Sequence, residues 1–250
     1  MDGAHKRRQL RSSAESMDLK EREILGDHAD SHWYYRSKAL ALERMLPVTF
    51  NGAIVDIGAG SGHFSKYLAQ RGLIEDALCI DTGYEQERDE NIGRARIRFR
   101  RSPEKCDADV VLLMDVLEHV PDDAGLLADY RAFIKPAATI IITVPAFQFL
   151  YGGHDVFLGH FRRYTLASLR AAILKAGYRP LRVHYFYGLV FPVAVAVRLA
   201  SPGRMMPRSN LRVHGRFTNS VLYAAAALEI PFMTLNRVVG LSVFAVCTPA

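Results

Sequence analysis

Cysteine is scarce in this sequence: Cys79, Cys106 and Cys247 are the only three, and none forms a CxxC pair or stands at zinc-like spacing from histidine. That excludes a disulfide-stapled scaffold and a cysteine-based zinc module, and it fits a reducing compartment. Long apolar runs are also missing. "YFYGLVFPVAVAV" (185–197) is interrupted by Pro192, and "VLYAAAALEIPFMTL" (221–235) by Glu229 and Pro231, so neither reaches the ~18 uninterrupted apolar residues of a membrane span. There is no internal repeat. Charge is not concentrated either: 32 Lys and Arg stand against 26 Asp and Glu along 250 residues, for a net +6. This moderate basicity favours anionic partners without naming one, and no RNA-binding signature accompanies it.

Half of the residues are hydrophobic, enough for one α/β domain with a sizeable core. The first 26 residues carry Lys6, Arg7, Arg8 and Arg11 with no apolar stretch behind them. The expectation for residues 1–30 is therefore a mostly disordered tail with a short helix near Asp18–Ile24, not a secretory signal. Residues 31–250 are expected to form a single domain.

From Ala53 onward, short apolar runs alternate with helical patterns, as in βαβ units with a mostly parallel sheet. "GAIVDIG", "ALCID", "RIRFR", "ADVVLLMD" and "ATIIITVP" read as five strands, with "ADVVLLMD" central because it is apolar throughout. "HFSKYLAQRG", "PDDAGLLADYRAFI" and "TLASLRAAILKAGY" read as helices, the last capped by Thr165 and stopped at Gly177. "RPLRVHYFYG" and "GLSVFAVCTP" complete the strands, and "SHWYYRSKALALERML" reads as a helix ahead of the first one.

"VDIGAGSGHF" places an acid and three alternating glycines where the first strand meets the first helix of the unit. In open α/β folds this is the carboxyl edge of the sheet, where bare peptide groups approach a cofactor. Asp81 ends the next strand about 21 residues after Gly60, a spacing that suits a carboxylate binding both ribose hydroxyls. A dinucleotide fingerprint needs glycine at position 63, where this chain has His63. Asp56 instead places a carboxylate near an amino-acid ammonium, a group that S-adenosylmethionine carries and NAD lacks. An NAD-dependent oxidoreductase is the enzymatic alternative, and a noncatalytic nucleic-acid-binding protein, suggested by the pI near 9.3, is the other.

"VDIGAGSGHFSKYLAQRG", "CIDTG" and "ADVVLLMDVLEHVPDD" together resemble the cofactor-binding segments of class I S-adenosylmethionine-dependent methyltransferases. The resemblance spans roughly residues 53–187 plus the closing strand. It implies a Rossmann-like α/β sheet of seven strands in order 3-2-1-4-5-7-6, with the last strand antiparallel and helices on both faces. By similarity, Asp56, Gly58, Ala59, Gly60 and Gly62 would lie along the methionine part. Asp81 would meet the ribose, Thr82 would lie beside the adenine, and Met114 and Asp115 would border the sulfonium, with Leu117, Glu118 and His119 just beyond. Where many relatives carry an acid after the third strand this chain has "FRRSPEK", so Arg101, Ser102 or Pro103 shapes the adenine wall.

Methyl transfer is an in-line displacement that needs an aligned acceptor and excluded water, with a base only where the acceptor must lose a proton. "MDVLEHVP" replaces the Asn/Asp-Pro-Pro-aromatic motif that resembles base-nitrogen methylases, and no cysteine is placed as a base-carbon nucleophile. "EHVP" (118–121) resembles the branch of the family that acts on small molecules and lipid-like substrates, and the resemblance implies an acceptor of that kind. His119 is a candidate base or a loop-fixing residue. "HDVFLGHFRRYT" is dense in functional side chains and resembles a subgroup of these enzymes. His154, Asp155, His160, Arg163 and Tyr164 are expected to line the acceptor pocket, with an arginine clamping an anionic group. The competing reading gives Arg162 and Arg163 to solvent or helix carboxylates and Tyr164 to packing. No metal is expected, since His154, Asp155 and His160 on an irregular loop make a weak ligand set.

The two apolar segments at 185–197 and 221–235 bracket Arg198, Arg204, Arg208, Arg212 and Arg216. The insertion they define, about 188–238, is either a lid or dimer interface, or a peripheral contact with an anionic membrane surface. The expected location is cytoplasmic, including the inner face of the membrane.

Overall fold

The computed structural model describes residues 30–48, 50–200, 205–207, 209 and 214–250. The short helix expected near Asp18–Ile24 and the arginines at 204, 208 and 212 lie outside the described residues.

The chain forms an eight-stranded sheet, numbered β1–β8 in chain order and arranged β3-β4-β2-β1-β5-β6-β8-β7. Strands β1 (Gly52–Ile57), β2 (Ile74–Ile80), β4 (Ala95–Arg100), β5 (Val110–Met114) and β6 (Thr139–Pro145) run parallel. β8 (Ser242–Pro249) is antiparallel to both β6 and β7 (Tyr178–Phe186). Seven of these strands follow the expected order.

The eighth corrects the expected count. β3 (Arg88–Ile92) pairs antiparallel with β4 at the sheet edge. Its sequence, "RDENI", has no apolar alternation because the edge is held by charge. Asp89 pairs with Arg96 and Arg100, and Glu90 with Lys66. The Arg88 guanidinium lies 3.8 Å over the Phe99 ring. Cross-strand charge pairs and cation–π contacts stabilise such an edge and deter further pairing.

Alternate strand residues feed two cores. Ile54, Cys79, Phe99, Leu112 and Phe244 face one layer with α1 (Trp33–Met45), α2 (His63–Gln70) and α7 (Arg216–Glu229). Val55, Leu78, Val111, Leu113 and Ile142 face the other with α3 (Asp123–Tyr130) and α5 (Leu166–Lys175). β5 is buried at every position, as a strand covered on both faces must be. Thr165 caps α5 by accepting from the Ser168 N–H. The "HDVFLGHF" stretch, expected as a loop, contains a short helix, α4 (Gly153–Leu158), closed by Gly159 in the left-handed conformation.

Between β7 and β8 the chain adds α6 (Phe191–Ala200), α7 and a 3₁₀ turn at Ile230–Leu235. No residue of α6 is buried. Among the described residues no helix is long and apolar enough to cross a membrane.

Gly62 heads α2 at φ 74°, and a Cβ there would meet the Phe99 ring at 2.8 Å. Gly62→Ala combines a left-handed backbone with a clash, so it should destabilise the fold by about 1–3 kcal/mol, measurable as a fall in the urea midpoint with unchanged m-value.

Candidate functional site

The carboxyl ends of β1, β2, β5 and β6 converge on a cluster of carboxylates. After β1 the chain turns through Gly58, Gly60 and Gly62, all at positive φ. A Cβ at Gly58 would lie 2.8 Å from Val116, the residue two beyond β5. This keeps the loop close to the sheet edge. The Gly58 and Ala59 N–H groups donate to the Ile80 carbonyl at 2.7 and 3.2 Å.

Asp81 is buried just past β2, accepting from the Gly60 N–H at 2.9 Å and the Gly83 N–H at 2.8 Å. One side chain thus fixes both the glycine loop and its own turn. Asp56 is buried on β1 and accepts from Ser65 of α2 at 2.7 Å. Ala59, Met114 and Leu117 are buried, whereas Thr82 and Ser102 are exposed. A side-chain-free cradle beside a backbone-held carboxylate suits the methionine and ribose parts of S-adenosylmethionine.

Asp115 lies just past β5 at φ 57°, a conformation that aspartate tolerates better than most residues. Its N–H donates to the Thr143 carbonyl at 2.9 Å, and the Thr143 hydroxyl donates to its carboxylate at 3.0 Å. Lys38 of α1 pairs with the other oxygen, and Tyr34, one turn earlier, donates to that oxygen at 3.0 Å while accepting from the lysine at 2.5 Å. The lysine side chain is 0 % exposed and the aspartate 26 %. Burial opposes the charge of Asp115, but Lys38, Tyr34 and Thr143 outweigh it and hold the carboxyl below its usual range.

Lys38 was not singled out in the sequence, although a lysine four residues after Tyr34 on an otherwise apolar helix face is a readable signal. Of the aromatics ahead of β1, Tyr34 reaches the site, Tyr35 packs edge-on to His63, and Trp33 packs edge-on to Tyr187.

Glu118 lies in the 3₁₀ turn Leu117–His119 after β5, wholly buried, with neither carboxylate oxygen hydrogen-bonded. Burial, reinforced by the charge of Asp115, pushes its carboxyl well above the usual range. His119 stands with its Nε2 3.9 Å from Glu118 Oε1 and its ring centroid 4.3 Å from that of His160.

The segment after β6 is organised by Asp155, which is 0 % exposed. One oxygen accepts from His160 Nδ1 at 2.8 Å and Arg163 Nε at 2.7 Å; the other accepts from the Gly152 N–H at 2.8 Å. Despite burial, His160 and Arg163 hold its carboxyl well below the usual range. Burial pushes the His154 imidazole down to about 3, so this ring is neutral near pH 7.

Arg163 is committed to Asp155 and the Ala146 carbonyl, and Arg162 to Asp123 and the carbonyls of Val120 and Pro121. Tyr164 is a core residue whose hydroxyl reaches Asp123 at 2.7 Å. His119, Asp155, His160 and Arg163 are therefore brought together, with Glu118 beside the two histidines.

A family model described as Methyltransferase domain matches residues 31–183. The chain belongs to the class I S-adenosylmethionine-dependent methyltransferases. The oxidoreductase and nucleic-acid-binding alternatives find no support. Curated relatives of this chain include the ubiquinone biosynthesis O-methyltransferase of Paramagnetospirillum magneticum, 29% identical over 164 residues, covering 55% of this chain and 62% of the relative. The enzyme of the same name from Acinetobacter baylyi is 29% identical over 105 residues, 36% of this chain and 42% of the relative. The chain thus covers less than two thirds of either relative.

Among solved structures, a putative methyltransferase of Haloferax volcanii in complex with its Trm112 activator superposes with a TM-score of 0.57 at 17% identity, covering 95% of this chain and 97% of that one. DhpI in complex with S-adenosylhomocysteine superposes with a TM-score of 0.54 at 16% identity, covering 96% of this chain and 97% of that one. These likenesses show the shared fold.

Lys38→Met leaves Asp115 without its cation and should cost the fold about 3 kcal/mol, with Asp115→Asn in the same chain restoring much of the loss. The sign with pH follows from the lowered carboxyl of Asp115. Its contribution is complete above the unfolded carboxylate range near pH 4 and is lost as pH falls through the lower folded value. Thermal melts from pH 7 to pH 3 should therefore show wild type and Lys38→Met converging in acid.

Proposed function

We propose that this protein transfers a methyl group from S-adenosylmethionine to a small, lipid-like acceptor. The observation that carries the reading is the pairing, at one sheet edge, of the Asp81-anchored glycine loop with the buried polar cluster beyond Asp115. In this reading Gly58, Ala59, Gly60 and Gly62 cradle the methionine part, and Asp81 binds the ribose. Thr82 and Ser102 border the adenine, and Asp56, Met114, Asp115 and Leu117 bound the remaining wall. When bound, the cofactor supplies an electrophilic methyl on a sulfonium.

The protein's part is positional. Tyr34 and Lys38 close the site from α1 and fix Asp115, while Asp155 orients His160 and Arg163. His119 and His160 face the acceptor's reacting group, and His154 completes the pocket. A hydroxyl acceptor must shed its proton as it reacts, so the site has to hold that oxygen in line with the methyl and give the proton a way out. The names of the ubiquinone-pathway relatives favour an oxygen acceptor on an apolar molecule.

The lipid-like character is supported by the outer surface of the insertion. Val193 and Val197 on α6, Phe217, Val221 and Leu228 on α7, and Phe232 and Leu235 beyond it are all exposed. Apolar side chains in this number on a soluble surface mark an interaction site, and we assign it to peripheral contact with the inner face of a membrane. Arg216 is exposed beside this surface, whereas Arg198 turns inward to within 3.7 Å of Asp155.

Two experiments test the proposal. Calorimetric titration should give saturable binding of S-adenosylmethionine and S-adenosylhomocysteine but not NADH, weakened about tenfold or more in Asp81→Ala. Absence of binding by either sulfur nucleoside would refute the cofactor assignment. Flotation with anionic liposomes should carry the protein upward at low salt, and Phe217→Ser with Leu228→Ser should reduce co-migration severalfold. A chain that stays at the bottom of the gradient would rule out the membrane contact.

A further inference from the structure

Glu118, His119 and His160 each offer a ligand atom, and these atoms all lie within 4.8 Å of one another. A buried carboxylate is costly unless its oxygens meet a donor, a proton or a cation, and Glu118 is fully buried with both oxygens lacking a hydrogen-bond partner. His160 is arranged for ligation from behind: Asp155 takes its Nδ1, leaving Nε2 as the nitrogen with a free lone pair. A carboxylate fixing the far nitrogen of an imidazole is the arrangement that orients metal-ligating histidines, and Arg163 in turn anchors that carboxylate. The His119 and His160 side chains remain 12 % and 7 % exposed, so the cluster lies just beneath the surface.

We propose that Glu118, His119 and His160 form a binding site for a divalent first-row transition cation. Two imidazoles and one carboxylate suit zinc, cobalt or manganese better than magnesium or calcium, which prefer all-oxygen sets. Ligands about 2.1 Å from a tetrahedral zinc stand roughly 3.4 Å apart, so the three side chains draw in by about an ångström when the cation enters. Three protein ligands leave at least one coordination position open.

The role of the site rests on the methyl-transfer reading, although its existence does not. An acceptor hydroxyl taking the open position would have its pKa lowered. Its O–H bond breaks with the electron pair staying on the oxygen, the proton passes to solvent, and no redox change occurs. The cation does the work that a base of ordinary strength would otherwise have to do.

The test uses the tag-free full chain, stripped with chelator and dialysed against Zn²⁺. Metal content is read by mass spectrometry, and Co²⁺ substitution by its visible absorption bands. One equivalent of Zn²⁺ is expected, with binding weakened about 100-fold or more in Glu118→Gln and His160→Ala, and about 10- to 100-fold in Asp155→Asn. Mg²⁺ should compete poorly. A cooperative thermal melt of each variant reports whether it has folded, S-adenosylhomocysteine titration tests the methyl-transfer reading separately, and if Glu118→Gln fails to fold, His160→Ala carries the comparison. Sub-stoichiometric Zn²⁺ in the wild type, or undiminished binding in both folded variants, would overturn the site. Zn²⁺ binding in a wild-type chain that does not bind S-adenosylhomocysteine would sink the methyl-transfer reading and leave the cation site standing.

Discussion

Charge compensation at the carboxyl edge of the sheet governs this structure. Asp56, Asp81, Asp115 and Glu118 all sit where β1, β2 and β5 end, three of them buried and Asp115 half-covered. Each carboxylate drawn out of water needs a partner, and the chain answers differently each time. Ser65 serves Asp56, backbone N–H groups of two turns serve Asp81, and a fully buried lysine serves Asp115. Only for Glu118, among these four, does neither oxygen find a hydrogen-bond donor. The order of the site follows from these partners. The glycine loop is held by Asp81, the helix ahead of the sheet is pinned by Asp115, and the segment after β6 gathers around a fifth carboxylate, Asp155.

The second organising contact is between α1 and the insertion before β8. Trp33 donates its backbone N–H to Asn219 at 2.8 Å, and Asn219 donates to the Ser31 carbonyl at 2.9 Å. Tyr187, just past β7, stacks on Tyr34 and donates its hydroxyl to the Tyr34 carbonyl. Tyr34 and Lys38 therefore reach Asp115 from a helix whose position depends on the far end of the chain. The insertion faces the site through α1 on one side and presents apolar side chains to the surroundings on the other.

The sheet was legible because its central strands are apolar runs, and its helices because their faces repeat at helical spacing. β3 was illegible for a physical reason: its cohesion comes from Asp89, Glu90 and Arg88, and apolar periodicity does not register charge. The glycine loop and Asp81 were legible because spacing alone brings them to one edge. In the candidate acceptor wall, His119, Asp155, His160 and Arg163 were readable as a density of functional residues, but their division of labour was not. Arg163 and Asp155 spend their charges on each other and on His160, and Tyr164 belongs to the core. Lys38 and Glu118 take their meaning from partners 77 residues away or from the lack of hydrogen-bonding ones, neither of which a linear pattern records.

The Trp33–Asn219 contact spans 186 residues, which bears on the order in which the molecule can assemble. Local βαβ units close short loops and can form while the ribosome is still producing the rest of the chain. The helix carrying Tyr34 and Lys38 is made well before its docking partners Tyr187 and Asn219. This wall of the pocket is thus translated ahead of the segment that fixes it, and until α7 arrives the helix carrying Lys38 lacks its contact with Asn219. Competence for ligand would then mark the completion of folding itself, and truncation of the last helix would silence a site to which that helix contributes no ligand.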